Sequence, residues 1–404
     1  MMYQLTFDLA TFMQDFWQKR PTVLKGGFAN FIDPISPDEL AGLALEEDID
    51  SRMITNTDGK WTASHGPFEE SIFAELPANH WQLVVQAANH WHIETAELVQ
   101  PFSAIPQWLF DDVMVSYSTQ GGGVGPHIDQ YDVFIVQGQG KRHWRVGAED
   151  KGQYTEVVQA GALRQIESFD AIIDSILEPG DILYIPPGFP HEGYALEESM
   201  SYSLGFRSPK EQELVSHLAD FYLGRELGDN HVSCADLALQ ENSGEISKDT
   251  FQQLRNIIEK SLNDTELLKE FTASLLSQSR HQLDIVAQED EPQSPADLFQ
   301  CLESGDVLHK LSGLRAFYHS GDTQKIYVNG DEFFLETPDD TLIPALCNHE
   351  MVSADDLDAI GLKPDSAQMK LLSKLVAKGY WYFNDLGFED MSFDEMNFED
   401  MGEE

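Results

Sequence analysis

The chain has 404 residues, and its 25 lysines and arginines against 70 aspartates and glutamates give a formal net charge of −45. Hydrophobic residues make up 42% and aromatic residues 11%, which supports folded cores and excludes a generally disordered chain. The acidic balance excludes a nucleic-acid-binding surface and disfavours an anionic membrane, because both need clustered cations. A basic protein partner fits this charge, and so does simple solubility. At roughly 150 residues per domain, the length predicts two or three domains.

Three cysteines, Cys234, Cys301 and Cys347, lie far apart and form no C-x-x-C motif. Neither a disulfide framework nor a zinc-thiolate site is therefore expected. The N-terminal apolar run is interrupted by acidic and polar residues, unlike a signal peptide, and no window reaches the apolar length of a membrane helix. We expect a cytoplasmic protein with no membrane contact.

The first 208 residues contain short β-branched and aromatic runs bounded by glycine or proline, the pattern of an all-β sandwich or barrel. A jelly roll is one way for such strands to avoid exposed edges. The clearest predicted strands are Val113–Ser118, Val133–Val136, His143–Val146, Ile182–Ile185 and Ser201–Phe206.

The pattern changes to helical spacing after Ser208. Ser208 and Pro209 predict a helix start with a serine cap and proline at the first position. From Glu211 to about Arg280 apolar residues recur at helical spacing, and their faces could pack on the barrel or on a second chain.

A polar stretch, Gln288–Pro295, predicts a linker to a smaller C-terminal domain. Beyond it, short strands are expected from Val307 to Leu335, with turns at Ser320–Asp322 and Asn329–Asp331. Helices are expected over Asp339–His349 and Ser366–Lys378, before the aromatic run Tyr380–Phe383. This order fits a small α+β domain of winged-helix type.

The tail carries three copies of an acidic pentapeptide, Gly387–Met391, Ser392–Met396 and Asn397–Met401. Repulsion between its carboxylates opposes compaction, so disorder is expected. The phenylalanines and methionines could dock on a basic partner, or the tail could stay solvated.

A histidine and an aspartate two residues apart carry the clearest chemical signal. In the stretch Gly121–Phe134, side chains that alternate along a strand place His127 and Asp129 on one face. A third ligand must come from another strand, and His191 is the candidate because a turn, a buried strand and a Pro-Pro-Gly corner deliver it. Two imidazoles and one carboxylate on one side of an ion form the facial triad of non-haem Fe(II) oxygenases. No comparable second cluster is evident, and His90 and His92 are interpreted as packing residues.

These segments resemble the JmjC-type cupin oxygenases, which use Fe(II), 2-oxoglutarate and O2. More narrowly, the chain is similar to bacterial ribosomal oxygenases, the arginine hydroxylases of large-subunit ribosomal protein sixteen. The resemblance is carried by Phe16–Pro21, Gly121–Gly138, Trp144–Gly147, Leu177–Leu196, Gly205–Arg207 and Ser277–Arg280.

The resemblance implies an α+β architecture. A double-stranded β-helix (cupin or jelly-roll) over 1–208 would precede an all-α domain over 209–285 that forms a homodimer. A winged-helix-like domain over 296–384 and the repeat tail over 385–404 would follow. His127, Asp129 and His191 match the metal ligands of the family.

The family also implies where the cosubstrate binds. The distal carboxylate of 2-oxoglutarate needs a cation, and Arg142 points inward if Trp144 and Val146 do. The alternative is a surface arginine. Ser116 matches a position that donates its hydroxyl to the same carboxylate.

Asp112, Met114, Tyr131 and Ser203 match the arginine pocket of the family. Asp112 would take the guanidinium, while Tyr131 and Met114 flank it. Packing for Tyr131, and a strand cap or a surface ion pair for Asp112, are the alternatives.

The expected activity is hydroxylation of an arginine in a basic ribosomal protein, without direct nucleic-acid contact. The other possibilities are a related oxygenase that hydroxylates histidine or asparagine or demethylates lysine, and a non-catalytic cupin that binds a partner.

Overall fold

A computed structural model describes residues 3–158, 164–235, 238–287, 293–358 and 362–383. The chain divides into two compact units, one of Met1–Pro209 with Arg280–Asp284 and one of Lys210–Ser279 with Ile285–Glu404. The short segment 280–284, which we call the strap, therefore groups with the first unit, although the sequence suggested a helical domain that continued to residue 285. The proposed four-part division stays a prediction, and the repeat tail lies outside the described residues.

The first unit is built mainly of strands, with short helices near its N-terminus. The helices are α1 (Leu9–Asp15), α2 (Pro37–Leu43), α3 (Ser71–Glu75) and α4 (Ile93–Ala96), with 3-10 turns at Ala88–His90 and Glu97–Phe102. The strands are β1 (Thr22–Leu24), β2 (Ser51–Thr57), β3 (Lys60–His65), β4 (Trp81–Val85), β5 (Phe110–Ser118), β6 (His127–Ile128), β7 (Asp132–Gln137), β8 (Arg142–Gly147), β9 (Glu156–Val158), β10 (Arg164–Ile166), β11 (Ala171–Leu177), β12 (Ile182–Ile185), β13 (Pro190–Ala195) and β14 (Ser199–Phe206).

Two antiparallel sheets form the jelly roll. The larger has eight strands in the order β1-β12-β7-β14-β5-β4-β2-β3, and the smaller has four in the order β11-β8-β13-β6. Within the described residues these strands pair as two sheets rather than as one closed barrel. Each strand predicted from the sequence is present, and the expected jelly-roll fold is confirmed.

The central strand β7 shows why its sequence reads as an unbroken apolar run. Val133 and Ile135 lie in a core with Trp144 and Val146 of the smaller sheet, whereas Phe134 joins the core on the opposite face of the sheet. Both faces of β7 are covered, so neither set of alternating side chains needs to be polar. This arrangement places the inward face of the larger sheet against the smaller sheet.

The second unit contains seven helices and six strands in its described residues. The helices are α5 (Glu211–Gly224), α6 (Lys248–Leu262), α7 (Thr265–Ser277), α8 (Pro295–Ser304), α9 (Leu342–Asn348), α10 (Ala354–Asp358) and α11 (Ala367–Ala377). The strands are β15 (Leu308–Lys310), β16 (Ala316–Phe317), β17 (Lys325–Val328), β18 (Asp331–Phe334), β19 (Met351–Val352) and β20 (Trp381–Phe383). No helix of the described segments has both the length and the apolar content needed to cross a membrane.

Local turn chemistry explains the C-terminal hairpin. Asn329 and Gly330 connect β17 to β18 with φ values of 47° and 89°. Positive φ at both central residues favours the Asn-Gly pair of a type I′ turn, and the turn predicted at Asn329–Asp331 is therefore present. The helix predicted to begin at Ser366 is also confirmed, because the Ser366 side chain caps α11 by accepting from the Met369 amide.

One helix start and one linker boundary differ from the sequence prediction. Ser208 does not cap α5, since Lys210 is extended and the helix begins at Glu211, where the Lys210 amide donates to Glu213 at 2.9 Å. The predicted linker also ends early, because Ser294 caps α8 and Pro295 is its first residue. Both differences concern which of several nearby polar residues satisfies the free amides of the first turn.

Candidate active site

The two sheets bring together three side chains that the sequence places far apart. Strand β13 pairs with β6 so that His191 lies opposite His127, and their ring centroids are 4.2 Å apart. The Oδ2 atom of Asp129 lies 3.8 Å from His127 Nε2 and 3.6 Å from His191 Nε2. All three therefore direct a donor atom to one point.

Both imidazoles are held in the same way. Nδ1 of His127 lies 2.9 Å from the Gly125 carbonyl oxygen, and Nδ1 of His191 lies 3.1 Å from that of Phe189. A carbonyl can only accept, so each Nδ1 carries its proton and each Nε2 keeps a free lone pair. Burial, and then the neighbouring His127, lower the pKa of His191 to about 4. His191 is therefore neutral near pH 7, as a metal ligand must be.

These donors fit a divalent iron ion. Two neutral imidazoles and one carboxylate on one side leave open positions for other ligands, which is typical of non-haem Fe(II) sites. His127 and Asp129 are each about one quarter exposed, whereas His191 is buried. The group is thus open on one side, toward the space between the sheets.

A cavity between the two sheets contains the triad and most of the predicted pocket residues. Met114, Ser116, Tyr131 and Ser203 line it from the larger sheet and the loop before β7. Arg142 and Trp144 line it from β8 of the smaller sheet. The expected alternation on β8 is present, because Arg142, Trp144 and Val146 are buried while His143 and Arg145 are half-buried.

Arg142 is a buried cation whose hydrogen-bond partners among the described residues are all neutral. Its Nη1 donates to Ser201 Oγ at 2.7 Å and Ser116 Oγ at 3.3 Å, and its Nη2 donates to Ser118 Oγ at 2.5 Å and to Gln82 Oε1. Burial lowers its pKa only to about 10, so the guanidinium stays charged at neutral pH. A buried charge without a counter-ion is costly, so the arrangement suits an anionic ligand.

Sequence reasoning identified Ser116 but missed Gln82, Ser118 and Ser201. A signal for one of them was present, because Ser118 follows Ser116 by two positions on β5 and so shares its face. Gln82 and Ser201 lie on the neighbouring strands β4 and β14, and only the pairing of strands brings them to Arg142.

Asp112, unlike the other predicted pocket residues, is buried outside the cavity lining. It is 4% exposed and is not among the residues that line the cavity. Its Oδ2 accepts from the Gln86 side chain at 2.5 Å and from the Ala87 amide at 2.8 Å. Its Oδ1 has no hydrogen bond within the described chain, so half of the carboxylate is anchored and half can accept another donor.

A second cluster, which the sequence did not reveal, lies beside Asp112. Asp111, Asp112 and His281 place one ligand atom each within 4.8 Å of one another. The strap supplies His281 and also Arg280, whose Nη1 lies 3.0 Å from Asp111 Oδ1 although 169 residues separate them. No local pattern could have linked positions so distant in the chain.

His90 and His92, which the sequence suggested are packing residues and not metal ligands, both have structural partners. His90 is buried, with Nδ1 2.8 Å from the Gln282 carbonyl oxygen of the strap. His92 precedes α4, and its Nδ1 accepts from the Thr95 amide at 3.2 Å. Neither lies among the residues that line the cavity.

Comparison with known families agrees with this geometry. A JmjC domain model matches residues 97–214, and a ROXA-like winged helix model matches residues 260–382. The chain is 47% identical over 384 residues to the Escherichia coli ribosomal protein uL16 3-hydroxylase, covering 95% of this chain and 100% of that protein. It is 31% identical over 331 residues to a probable ribosomal oxygenase of Haemophilus influenzae, covering 79% and 80% of the two chains.

Solved structures show the same similarity over nearly the whole chain. The X-ray structure of E. coli YcfD has a TM-score of 0.88 at 46% identity and covers 95% of this chain and 100% of that one. The structure of YcfD in complex with cobalt and 2-oxoglutarate has a TM-score of 0.85, also at 46% identity, and covers 95% of this chain and 99% of that one. With the metal-ligand geometry and the buried arginine described above, these matches confirm the resemblance seen in the sequence: the chain belongs to the ribosomal oxygenases, JmjC-type enzymes that depend on Fe(II) and 2-oxoglutarate.

Proposed function

We propose that this chain hydroxylates an arginine side chain of the large-subunit ribosomal protein uL16, with 2-oxoglutarate and O2 as cosubstrates. The observation that carries the proposal is one cavity lined both by His127, Asp129 and His191 and by the buried, neutrally partnered Arg142. The E. coli relative bears the name of a uL16 3-hydroxylase, and YcfD is described in complex with cobalt and 2-oxoglutarate.

The protein's own residues bind and orient the reactants. Fe(II), when bound by His127, Asp129 and His191, supplies oxygen activation coupled to decarboxylation of 2-oxoglutarate. Arg142 and Ser116 bind the distal carboxylate of 2-oxoglutarate, since a guanidinium and a hydroxyl together match a carboxylate. The apolar walls formed by Trp144, Val133 and Ile135 keep water from the reacting groups.

The arginine side chain of the substrate enters between Met114, Tyr131 and Ser203. Asp112 Oδ1 accepts from its guanidinium, while Gln86 and the Ala87 amide keep the carboxylate in place through Oδ2. Burial, and then the charge of Asp129, raise the pKa of Tyr131, so its hydroxyl stays neutral and can donate. A carboxylate and a flat aromatic ring bind a guanidinium more favourably than they bind a neutral substrate side chain.

The direct test is hydroxylation of unmodified uL16 in vitro. The protein is incubated with Fe(II), 2-oxoglutarate, air and uL16, and mass spectrometry locates any added oxygen. We expect one oxygen on a single arginine, absent when 2-oxoglutarate is omitted. Steady succinate release with no oxygen on uL16 would overturn the substrate while keeping the oxygenase, and no succinate from folded, iron-loaded protein would overturn both.

Replacing Asp112 by asparagine separates substrate binding from metal chemistry. D112N keeps the shape of the side chain but removes the charge that faces the guanidinium. Arginine hydroxylation should fall by about 100-fold, the effect of losing a buried charge-assisted bond, while uncoupled succinate release continues. Both rates are measured on the same preparation, with D170N, at an exposed position, as the control. Unchanged arginine turnover in D112N would contradict the assignment.

We also propose that the chain is a homodimer formed through the helical segment 209–285. Helix α6 carries Phe251, Leu254, Ile258 and Leu262 on one stripe, with relative exposures of 61%, 44%, 61% and 48%. Such a stripe is unusual for a solvated helix and suits burial against a second copy of the chain.

A single charge placed in this stripe tests the homodimer. I258E should shift the protein from dimer to monomer at micromolar concentration, because the interface would bury an unpaired carboxylate. Sedimentation velocity measures the change, and Q252E, on the same helix, serves as the control. A native protein that sediments as a monomer would refute the proposal, as would an I258E dimer of unaltered stability.

The remaining features fit this assignment. The net charge of −45 suits a basic ribosomal protein and not a nucleic acid, so we propose contact with uL16 alone. Because ribosomal proteins are made in the cytoplasm, we place the enzyme there.

A further inference from the structure

The strap, residues 280–284, brings two cationic side chains to the pair of adjacent aspartates on β5. Arg280 Nη1 lies 3.0 Å from Asp111 Oδ1, and Arg280 Nη2 donates to the Arg207 carbonyl oxygen at 3.1 Å. His281 Nε2 lies 3.7 Å from the same Asp111 oxygen and has a nitrogen within 4.8 Å of a carboxylate oxygen of Asp112. The strap thus lies beside Asp112, the residue proposed to bind the substrate guanidinium.

The pKa values of the two carboxylates are shifted in opposite directions. Burial would raise the pKa of Asp111, but His281 and Arg280 outweigh it and lower that pKa to about 2. Burial raises the pKa of Asp112, and the charge of His281 is the largest influence that opposes the rise. Among the described residues, Asp112 has no ion pair within 4.0 Å, and the strongest cationic influence on its pKa comes from His281 of the strap.

A metal ion is a poorer explanation of this cluster. Asp111, Asp112 and His281 are close enough to share an ion. However, the guanidinium of Arg280 already lies 3.0 Å from a carboxylate oxygen of Asp111. A second cation there would be repelled, so the cluster reads as an ion-pair network.

We propose that His281 is a positioning residue for the arginine substrate: its ring, which lies beside both Asp111 and Asp112, keeps Asp112 anionic so that Asp112 can bind the guanidinium. This inference rests on the proposed function, since it assigns a role only if Asp112 receives an arginine. His281 does not contact the substrate and acts through Asp112.

The groups that face His281 determine whether its pKa is raised or lowered. They are Asp111 and Asp112 from β5, Arg280 from the strap, and His90 from the 3-10 turn, whose ring centroid is 5.9 Å away. Burial lowers the pKa of His281, but the two aspartates outweigh it, so the net change is a rise. The raised pKa favours the cationic form of His281 beside Asp112, whose own pKa is raised by burial.

Binding measured against pH tests this role. Calorimetry without oxygen gives the affinity of the iron- and 2-oxoglutarate-loaded protein for a uL16 peptide that contains arginine and for the same peptide with neutral citrulline. H281Q keeps a hydrogen-bond donor but loses the charge. The affinity of native protein for the arginine peptide should fall as the pH is lowered and Asp112 takes up a proton. In H281Q the midpoint of this fall should lie about one pH unit higher. The citrulline affinity should be unchanged, and H65Q, at the exposed end of β3, should match the native protein.

The outcomes separate this inference from the function on which it rests. A native protein that does not prefer arginine to citrulline overturns the proposed function. If the native protein prefers arginine but the pH dependence of arginine-peptide affinity is the same in H281Q, only the role of His281 is overturned. An equal loss of affinity at every pH, for both peptides, also overturns it, because that result indicates packing and not charge.

A measurement on the native protein avoids any folding defect of the variant. With ¹³C-labelled histidine, the NMR titration of His281 should give a pKa above the ordinary 6.5, and the arginine peptide should lower it because a second cation then lies against Asp112. The citrulline peptide should leave it unchanged. A His281 that titrates identically with both peptides contradicts the proposal.

Discussion

Replacement of His191 by alanine is expected to abolish succinate release and substrate hydroxylation together. His191 is one of three side chains that direct donor atoms to a common point, and its ring is fixed by the Phe189 carbonyl. Changes to groups that merely support a ligand cost 10- to 100-fold, so loss of the ligand itself should reduce turnover by about 1,000-fold or more. Fe(II) affinity, measured by calorimetry under anaerobic conditions, should fall in parallel.

The matched control is His143→Ala. His143 lies on β8, which pairs with β13, but its ring contacts Tyr194 and Asp174 and it is not among the residues that line the cavity. We expect H143A to keep metal affinity and activity near those of the native protein. An H191A protein that binds iron normally would show that the ligand set has been assigned wrongly.

Replacement of Arg142 by methionine should raise the KM for 2-oxoglutarate by about 100- to 5,000-fold. The variant removes the buried charge that we propose binds the cosubstrate, and breaking one side of a buried charge pair costs about 3–5 kcal/mol. Iron affinity should change little, because Arg142 is not a ligand. Succinate release at increasing 2-oxoglutarate concentrations gives the KM, and thermal unfolding with and without 2-oxoglutarate gives an independent measure of binding.

Arg145→Gln is the control for this charge. Arg145 is on the same strand, three positions along, but it pairs with Glu192 and Asp174 on the outer face of the smaller sheet. R145Q should therefore keep the native KM. The free energy of unfolding should not fall in R142M without ligand, because the lost cation has only neutral partners in the described chain. An unchanged KM in R142M would place the carboxylate of 2-oxoglutarate elsewhere.

Local chemistry in the sequence was enough to predict the three proposed metal ligands and the strands that carry them. Residues two apart on a strand share a face, so His127 and Asp129 had to point the same way. The same alternation placed Arg142 inside with Trp144 and Val146. Asn329-Gly330 specified a hairpin because few residue pairs tolerate two positive φ angles. In each case the deciding interaction spans only a few residues.

The surroundings of Arg142 and Asp112 depend on contacts between segments that are distant in the sequence. Gln82 and Ser201 reach Arg142 only because β4, β5 and β14 are neighbours in the larger sheet. Asp112 is held by Gln86 and Ala87, and the strap brings His281 and Arg280 from the far end of the helical segment. No periodicity encodes such contacts, since they depend on how distant segments pack once the chain has folded. The proposed metal ligands could therefore be predicted from the sequence, whereas the charges that surround Asp112 became visible only in the folded chain.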